Sequence, residues 1–221
     1  MKRAILIFVD IKITPSQVHK FRGFIGNLFK DYDLVHNHYP ETGKNIYRYP
    51  LIQFKLLESN PAIIAVTDQP IEIFMEIFLN LNQINIDKLS IPVNEKDIHI
   101  TDCCFGYSED TFMYSFISPW IGLNQKNHKI YMESPDRKEK HKLLQRALCG
   151  NILSMAKGLG YWLTPDQRIR MELQVREKKV LLKGKSMLGF KGLFKTNFMI
   201  PDYMGLGKSV SRGFGTVRRI I

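Results

Sequence analysis

Two histidines separated by one residue, His36 and His38, are the side chains in this sequence best suited to proton transfer. An imidazole titrates at about pH 6.5, so one ring of a pair can accept a proton while the other donates one near neutrality. If the segment is extended, residues i and i+2 point to the same side and both rings can reach one reacting group. A zinc site would need further ligands to close a tetrahedron. Asp31 and Asp33 lie close in sequence, but no neighbouring Cys, Asp or Glu cluster obviously completes a site. A surface pair without chemistry is the third reading. His19, His99, His128 and His141 have no comparable neighbours. Neither a metal nor a cofactor is expected.

The second candidate is the run Gly205-Leu206-Gly207-Lys208-Ser209-Val210-Ser211-Arg212-Gly213-Phe214-Gly215, in which two Gly-hydrophobic-Gly units bracket five residues that include two cations. Glycine permits positive φ and close backbone approach, and Leu206 and Phe214 can anchor the run by burying their side chains. Lys208 and Arg212 are then presented to a ligand, with Ser209 and Ser211 beside them. Gly207-Lys208-Ser209 mimics the end of a nucleotide P-loop, but that motif needs glycine where this sequence has Asp202. A glycine-bearing hairpin with no ligand is the alternative reading.

The elements that must position these residues follow from periodicity. Ile5, Ile7, Val9, Ile11 and Ile13 alternate, which predicts a half-buried strand with those side chains on one face. Thr14 as N-cap and Pro15 as first helical residue open a helix whose Val18, Phe21, Ile25, Leu28 and Phe29 recur at spacings of three and four. It should end near Lys30, and residues 31 to 48 read as a connection. Residues 50 to 67 read as two strands turning at Ser59, Asn60 and Pro61. Residues 69 to 82 suit a second helix, with Ile73, Ile77 and Leu81 on one stripe, and a weak fourth strand is expected between Ile84 and Ile91. The order is βαββαβ.

The second half repeats this order in outline. An extended stretch over residues 98 to 117 leads to the longest helical pattern, opened by Ser134 and Pro135, with Leu144, Leu148, Ile152, Met155 and Leu159 as its apolar stripe. Residues 168 to 199 alternate apolar and basic positions, which predicts a hairpin or meander with a positive outer face. The expected fold class is α+β with two tandem domains, residues 1–95 and 96–221.

Charge is concentrated at the C-terminal end. Of the 32 Lys and Arg, 13 lie between Thr164 and Ile221, against only 4 of the 21 Asp and Glu. Such a surface fits a polyanion, because neutralising phosphates releases counterions and gives affinity independent of sequence. A solvated basic surface is the plainer reading. Asp10 and Lys12 interrupt the first apolar run before it reaches the roughly 18 residues of a membrane span. Cys103, Cys104 and Cys149 supply neither a disulfide framework nor a CxxC knuckle, so a cytoplasmic location is expected, with no membrane partner.

In the Gly205–Gly215 run the sequence resembles the repeat-processing endoribonucleases of CRISPR systems, in the RAMP superfamily. The G-h-G, five residues, G-h-G pattern and its place near the end of the chain match that family, and Ser118-Pro119-Trp120 looks like its short proline-containing segment early in the second domain. The resemblance implies two ferredoxin-like domains and an RNA site that includes Gly205, Gly207, Lys208, Ser209, Ser211, Arg212, Gly213 and Gly215. It also implies catalytic residues in or just after the first helix, where His36 and His38 fall. Tyr47 would then contact the phosphate or a base, and Lys44 and Arg48 would hold charge, unless these are ordinary surface residues. The implied activity is metal-independent cleavage of CRISPR precursor RNA within repeats by attack of a 2′-hydroxyl, with repeat RNA as partner. A homodimer and membership of a CRISPR effector complex are left open. The rival readings are a non-catalytic RNA-binding subunit of an effector complex and an RNA-binding module outside CRISPR.

Overall fold

The computed structural model describes residues 1–29, 48–182 and 184–220. The chain divides into two compact units, Met1–Cys103 with Val210–Gly213, and Cys104–Ser209 with Phe214–Ile221.

The first unit is built on strands β1 (Lys2–Phe8), β2 (Ile52–Leu57), β3 (Asn60–Val66) and β6 (Lys96–Asp102), in the sheet order β2-β3-β1-β6. Helices α1 (Val18–Leu28) and α2 (Asp68–Asn80) pack with it. The predicted stripe of α1 holds: Val18, Phe21 and Ile25 are buried, while Leu28 at the end of the helix is exposed. Pro15–Gln17 forms a 3-10 turn ahead of the helix, and the Thr14 backbone N–H donates to the Gln17 side chain at 2.9 Å. That satisfies a donor the helix start would otherwise leave open. Phe21 meets Phe8 and Phe54 edge to face, each pair 5.5 Å between ring centres. Contacts of this geometry add about 0.5–1.5 kcal/mol apiece beyond burial.

Three details differ from the pattern. The face of β1 that enters this core is Ala4, Leu6 and Phe8, not Ile5 and Ile7, and Ile11 and Ile13 join it from beyond the strand. The chain bends after Phe8, where the Asn60 amide donates to the carbonyls of Phe8, Val9 and Ile11 at 2.9, 2.6 and 3.0 Å, so a single alternation could not run from Ile5 to Ile13. The β2–β3 turn is made by Glu58 and Ser59, with φ of 50° and 71°. Two consecutive positive values mark a tight hairpin turn and leave Asn60 and Pro61 in β3. The expected fourth strand between Ile84 and Ile91 is instead a separate hairpin, β4 (Gln83–Ile86) and β5 (Leu89–Pro92).

The fourth strand of the main sheet is β6, which pairs with β1 from Lys2↔Asp102 to Phe8↔Lys96. The two units therefore divide at Cys103/Cys104, later in the chain than the expected division after residue 95.

The second unit contains β7 (Gly106–Phe116), α3 (Gln125–Glu133), α4 (Arg137–Gly158), β8 (Met171–Leu182), β9 (Lys185–Met199) and β10 (Val217–Ile220). Its sheet order is β10-β7-β9-β8, which is the order of the first sheet with β7, β8, β9 and β10 in the places of β1, β2, β3 and β6. Both units are thus ferredoxin-like. The Asp136 side chain caps α4, accepting from the Lys138 N–H at 2.7 Å, and Leu144, Leu148, Ile152 and Met155 are buried as the stripe requires. Where the first unit has α2, the described residues between β9 and β10 form no helix. That stretch carries the glycine-rich run.

Candidate nucleic-acid interface

The flanks of the glycine-rich run belong to the second unit, and they rest on Ser118-Pro119-Trp120. The Ser118 hydroxyl accepts from the Thr216 N–H at 2.8 Å, and the Gly215 N–H donates to the Pro119 carbonyl at 2.8 Å. Trp120 is fully buried, exchanges two backbone hydrogen bonds with Phe190 at 2.8 Å each, and donates from its indole nitrogen to Asn151 Oδ1 at 2.9 Å. The two segments that carry the family resemblance are therefore one substructure, with the first serving as the seat of the second.

Gly215 and Gly207 are needed sterically. Gly215 has φ of +62°, and a Cβ there would lie 1.9 Å from the Leu206 carbonyl oxygen. Gly207, at +89°, would place a Cβ 2.6 Å from the Ile121 carbonyl oxygen and 2.8 Å from Trp120 Nε1. The Leu206 N–H donates to the Gly215 carbonyl at 2.9 Å, so the two Gly-hydrophobic-Gly units pair with each other. Leu206 is fully buried as expected, and Phe214 is half-buried. Lys208 is exposed, with its backbone N–H tied to the Ile121 carbonyl at 2.8 Å.

The middle of the run, Val210–Gly213, packs within the first unit. Its Gly213 N–H donates to the Val210 carbonyl at 3.2 Å and closes a turn around Ser211 and Arg212. Arg212 forms a parallel bridge with Phe54 of β2. The neighbouring Lys55 is fully buried, and its ammonium nitrogen donates to the Val210 carbonyl at 3.3 Å. Burial in a low-dielectric interior disfavours the charged form and brings the Lys55 amine down to about 7. Burial also lowers Arg212 and takes Arg22 of α1 down to about 10, where repulsion from Arg212 adds to the effect.

Of the other residues expected from the sequence, Arg48 is exposed. Ser209 and Ser211 are half-buried, and Ser209 takes a positive φ of 57°. His36, His38, Lys44 and Tyr47 lie outside the described residues. The basic alternation of residues 168 to 199 is the β8–β9 hairpin, with Arg176 opposite Lys191 and Glu172 opposite Lys195. Arg176, Lys191, Gln174 and Ser115 help line an open concavity of ≈ 760 Å³ on the second unit. Among the described residues no three His, Cys, Asp or Glu side chains are grouped to hold a metal, and no helix is long and apolar enough to cross a membrane.

Arg22 and Lys55 were not legible as site residues. Arg22 reads as an exposed position on an amphipathic helix. Gln53 and Lys55 alternate with Ile52, Phe54 and Leu56, which reads as the solvent face of a strand, yet Gln53 and Lys55 are both fully buried.

Comparison with known proteins agrees with this geometry. Residues 3–103 match the Cas6b N-terminal domain and residues 106–220 the Cas6b C-terminal domain. A crystal structure of Cas6b is 34% identical over 99% of both chains, with a TM-score of 0.93. A second, of the CRISPR RNA processing endoribonuclease Cas6b, is 32% identical over 100% of both, with a TM-score of 0.80. The uncharacterized protein MJ0978 of Methanocaldococcus jannaschii is 41% identical over 146 residues, 66% of this chain and 97% of that one. With both of its units matched to the two Cas6b domains, the chain belongs to the Cas6b family.

Proposed function

We infer that this protein is an endoribonuclease that cuts CRISPR precursor RNA within its repeats to produce guide RNAs. The observation that carries this is the end-to-end similarity to the CRISPR RNA processing endoribonuclease Cas6b, at 32% identity. The basic C-terminal region and the exposed Lys208 beside the glycine-rich turn give the repeat RNA, the expected partner, a surface of matching charge.

The chemistry that fits these residues is internal transfer at phosphorus. One of His36 and His38 takes the proton of the 2′-hydroxyl, and the 2′-oxygen forms a bond to the adjacent phosphorus. The bond from phosphorus to the 5′-oxygen of the next nucleotide breaks, and the other imidazole supplies that oxygen with a proton. The products are a 2′,3′-cyclic phosphate and a 5′-hydroxyl, and no metal is required. Each positioned proton transfer contributes about 10² to 10⁴-fold. Tyr47, Lys44 and Arg48 assist by contacting the phosphate.

The test is incubation of the purified protein with end-labelled repeat RNA in excess EDTA. Cleavage at one position, giving a cyclic phosphate end, is expected. Replacing the ribose before the cut by 2′-deoxyribose should abolish cleavage and leave binding almost unchanged, since only the nucleophile is deleted. Strict dependence on a divalent cation, or normal cleavage of the deoxy substrate, would overturn this mechanism. Binding without any cleavage would identify the protein as a non-catalytic RNA-binding subunit.

A further inference from the structure

Arg22 has no part in the chemistry above, yet the first unit builds a turn beside it. Phe21, its neighbour on α1, packs edge to face on Phe54 at 5.5 Å, and the Phe54 backbone bridges to Arg212. Gly213 sits over the same helix. A Cβ on it would come within 3.0 Å of Val18 Cγ1, and φ of +85° also favours glycine there. Val18 and Arg22 are four residues apart in α1 and so lie on one face. The turn that carries Arg212 is held at its start by Lys55 through the Val210 carbonyl. Sequence-distant elements thus bring the Arg212 turn against the face of α1 that carries Arg22, close enough for the Arg212 charge to act on Arg22.

Electrostatics gives that place a direction. Both guanidinium groups are partly withdrawn from water, and each other's charge makes the pair costlier, as the lowered Arg22 reflects. At about 10, Arg22 nevertheless remains charged at neutral pH. Among the described residues, no carboxylate forms an ion pair with Arg212. An anion seated between two such groups removes their repulsion. Planar guanidinium forks match the paired oxygens of a phosphate, which accept two parallel hydrogen bonds from each fork.

We propose that Arg22 and Arg212 form one phosphate-binding site in the first unit, which seats a single phosphodiester of the RNA between α1 and the Ser211–Arg212 turn. This rests on the endoribonuclease reading and deepens it by naming Arg22 as an RNA-binding residue. Two cations sharing one phosphate have a signature that two independent contacts lack. Removing either loses most of the interaction, and removing both loses little more.

The experiment measures affinity for a repeat RNA blocked at the cut by one 2′-deoxyribose, across a salt series, for wild type, Arg22→Gln, Arg212→Gln and the double variant. Each single variant is expected to bind roughly tenfold more weakly. The double variant should be close to the singles, with the log–log salt slope shallower by about 0.7, the value for one phosphate of a single strand. Arg22→Met keeps the aliphatic stem in place and carries the same expectation if Arg22→Gln does not fold. A folded Arg22 variant with wild-type affinity and slope would overturn the proposal. So would single losses that multiply in the double variant with a slope that falls twice. In either case wild type still binds and cuts the repeat, so the endoribonuclease reading stands. If wild type itself does not bind the repeat, that reading fails and the site falls with it.

Discussion

The Lys55 ammonium nitrogen lies 3.3 Å from the Val210 carbonyl oxygen, a hydrogen bond that fastens the glycine-rich turn to β2 from inside the first unit. A buried lysine is lowered to about 7 here, against 10.5 in its ordinary range, and this makes stability depend on pH. Between those values the unfolded chain holds a proton that the folded chain does not, so stability rises with pH across this window. Below about 7 the folded state carries the full cost of a buried charge. Relative to Lys55→Met, wild type should gain about 2 kcal/mol between pH 7 and pH 9. Urea unfolding midpoints of both proteins at the two pH values check this, since other titrating groups cancel in the difference. Parallel profiles would mean that Lys55 is charged throughout.

The glycines predict two very different outcomes for the same substitution. Gly215→Ala would drive a Cβ to 1.9 Å from a carbonyl oxygen of the main chain, which cannot move aside as a flexible side chain would. A loss of about 3 kcal/mol or more is expected, a fall of roughly 10 °C in Tm, with RNA affinity reduced although no charge is touched. Gly184 has a similar φ of +74° but nothing within 4 Å of its Cβ position. Gly184→Ala should cost only about 1 kcal/mol, the price of a left-handed backbone alone. Equal melting temperatures for the two variants would contradict the steric account.

His36→Ala and His38→Ala should each slow cleavage, and the double substitution should remove it, while all three variants still bind repeat RNA. Single-turnover rates are the measurement, because product release can hide the chemical step. The wild-type rate should depend on pH through two groups. A double variant that is folded, binds RNA and cuts at the wild-type rate would remove both residues from the mechanism and turn attention to Tyr47.

Lys208 and Arg212 occupy unlike surroundings, and their alanine variants should differ accordingly. Lys208 is exposed, so Lys208→Ala should make the salt slope shallower by about 0.7 with a small loss of affinity at moderate salt. Arg212 is partly buried and its contact less screened, so Arg212→Ala should cost more affinity under the same conditions. Filter binding across a salt series separates the two. Identical losses would mean that burial does not strengthen the Arg212 contact.

Elements whose pattern comes from one apolar face were legible in the sequence. The stripe of α1, the β2–β3 hairpin, the long helix α4 and the β8–β9 hairpin all fall where periodicity puts them. The fourth strand of the first unit was not, because Ile98 and Ile100 alternate with polar residues in β6 as they would in a strand opening a new domain. Only its pairing with β1 assigns it. The same limit applied to the site. The glycines could be read from their spacing, since steric need leaves a mark in residue type. Arg22 and Lys55 could not, since each looks like an ordinary surface cation until the fold brings Val210–Gly213, far along the chain, to meet it.

That distance also sets an order of events during synthesis. The partner of Lys55 lies 155 residues downstream, and among the described residues the outer edge of β2 forms a backbone bridge only with Arg212 of this turn. At roughly 5–20 residues per second, the first sheet can be complete on the ribosome on the order of 5–20 s before Val210–Gly213 has been made. For that interval the backbone of Phe54 lacks its bridge to Arg212, and unbridged strand backbone is the kind of surface that pairs with other chains. Translation that stops between residues 103 and 210 leaves a protein that has every strand of the first sheet and no Arg212 turn.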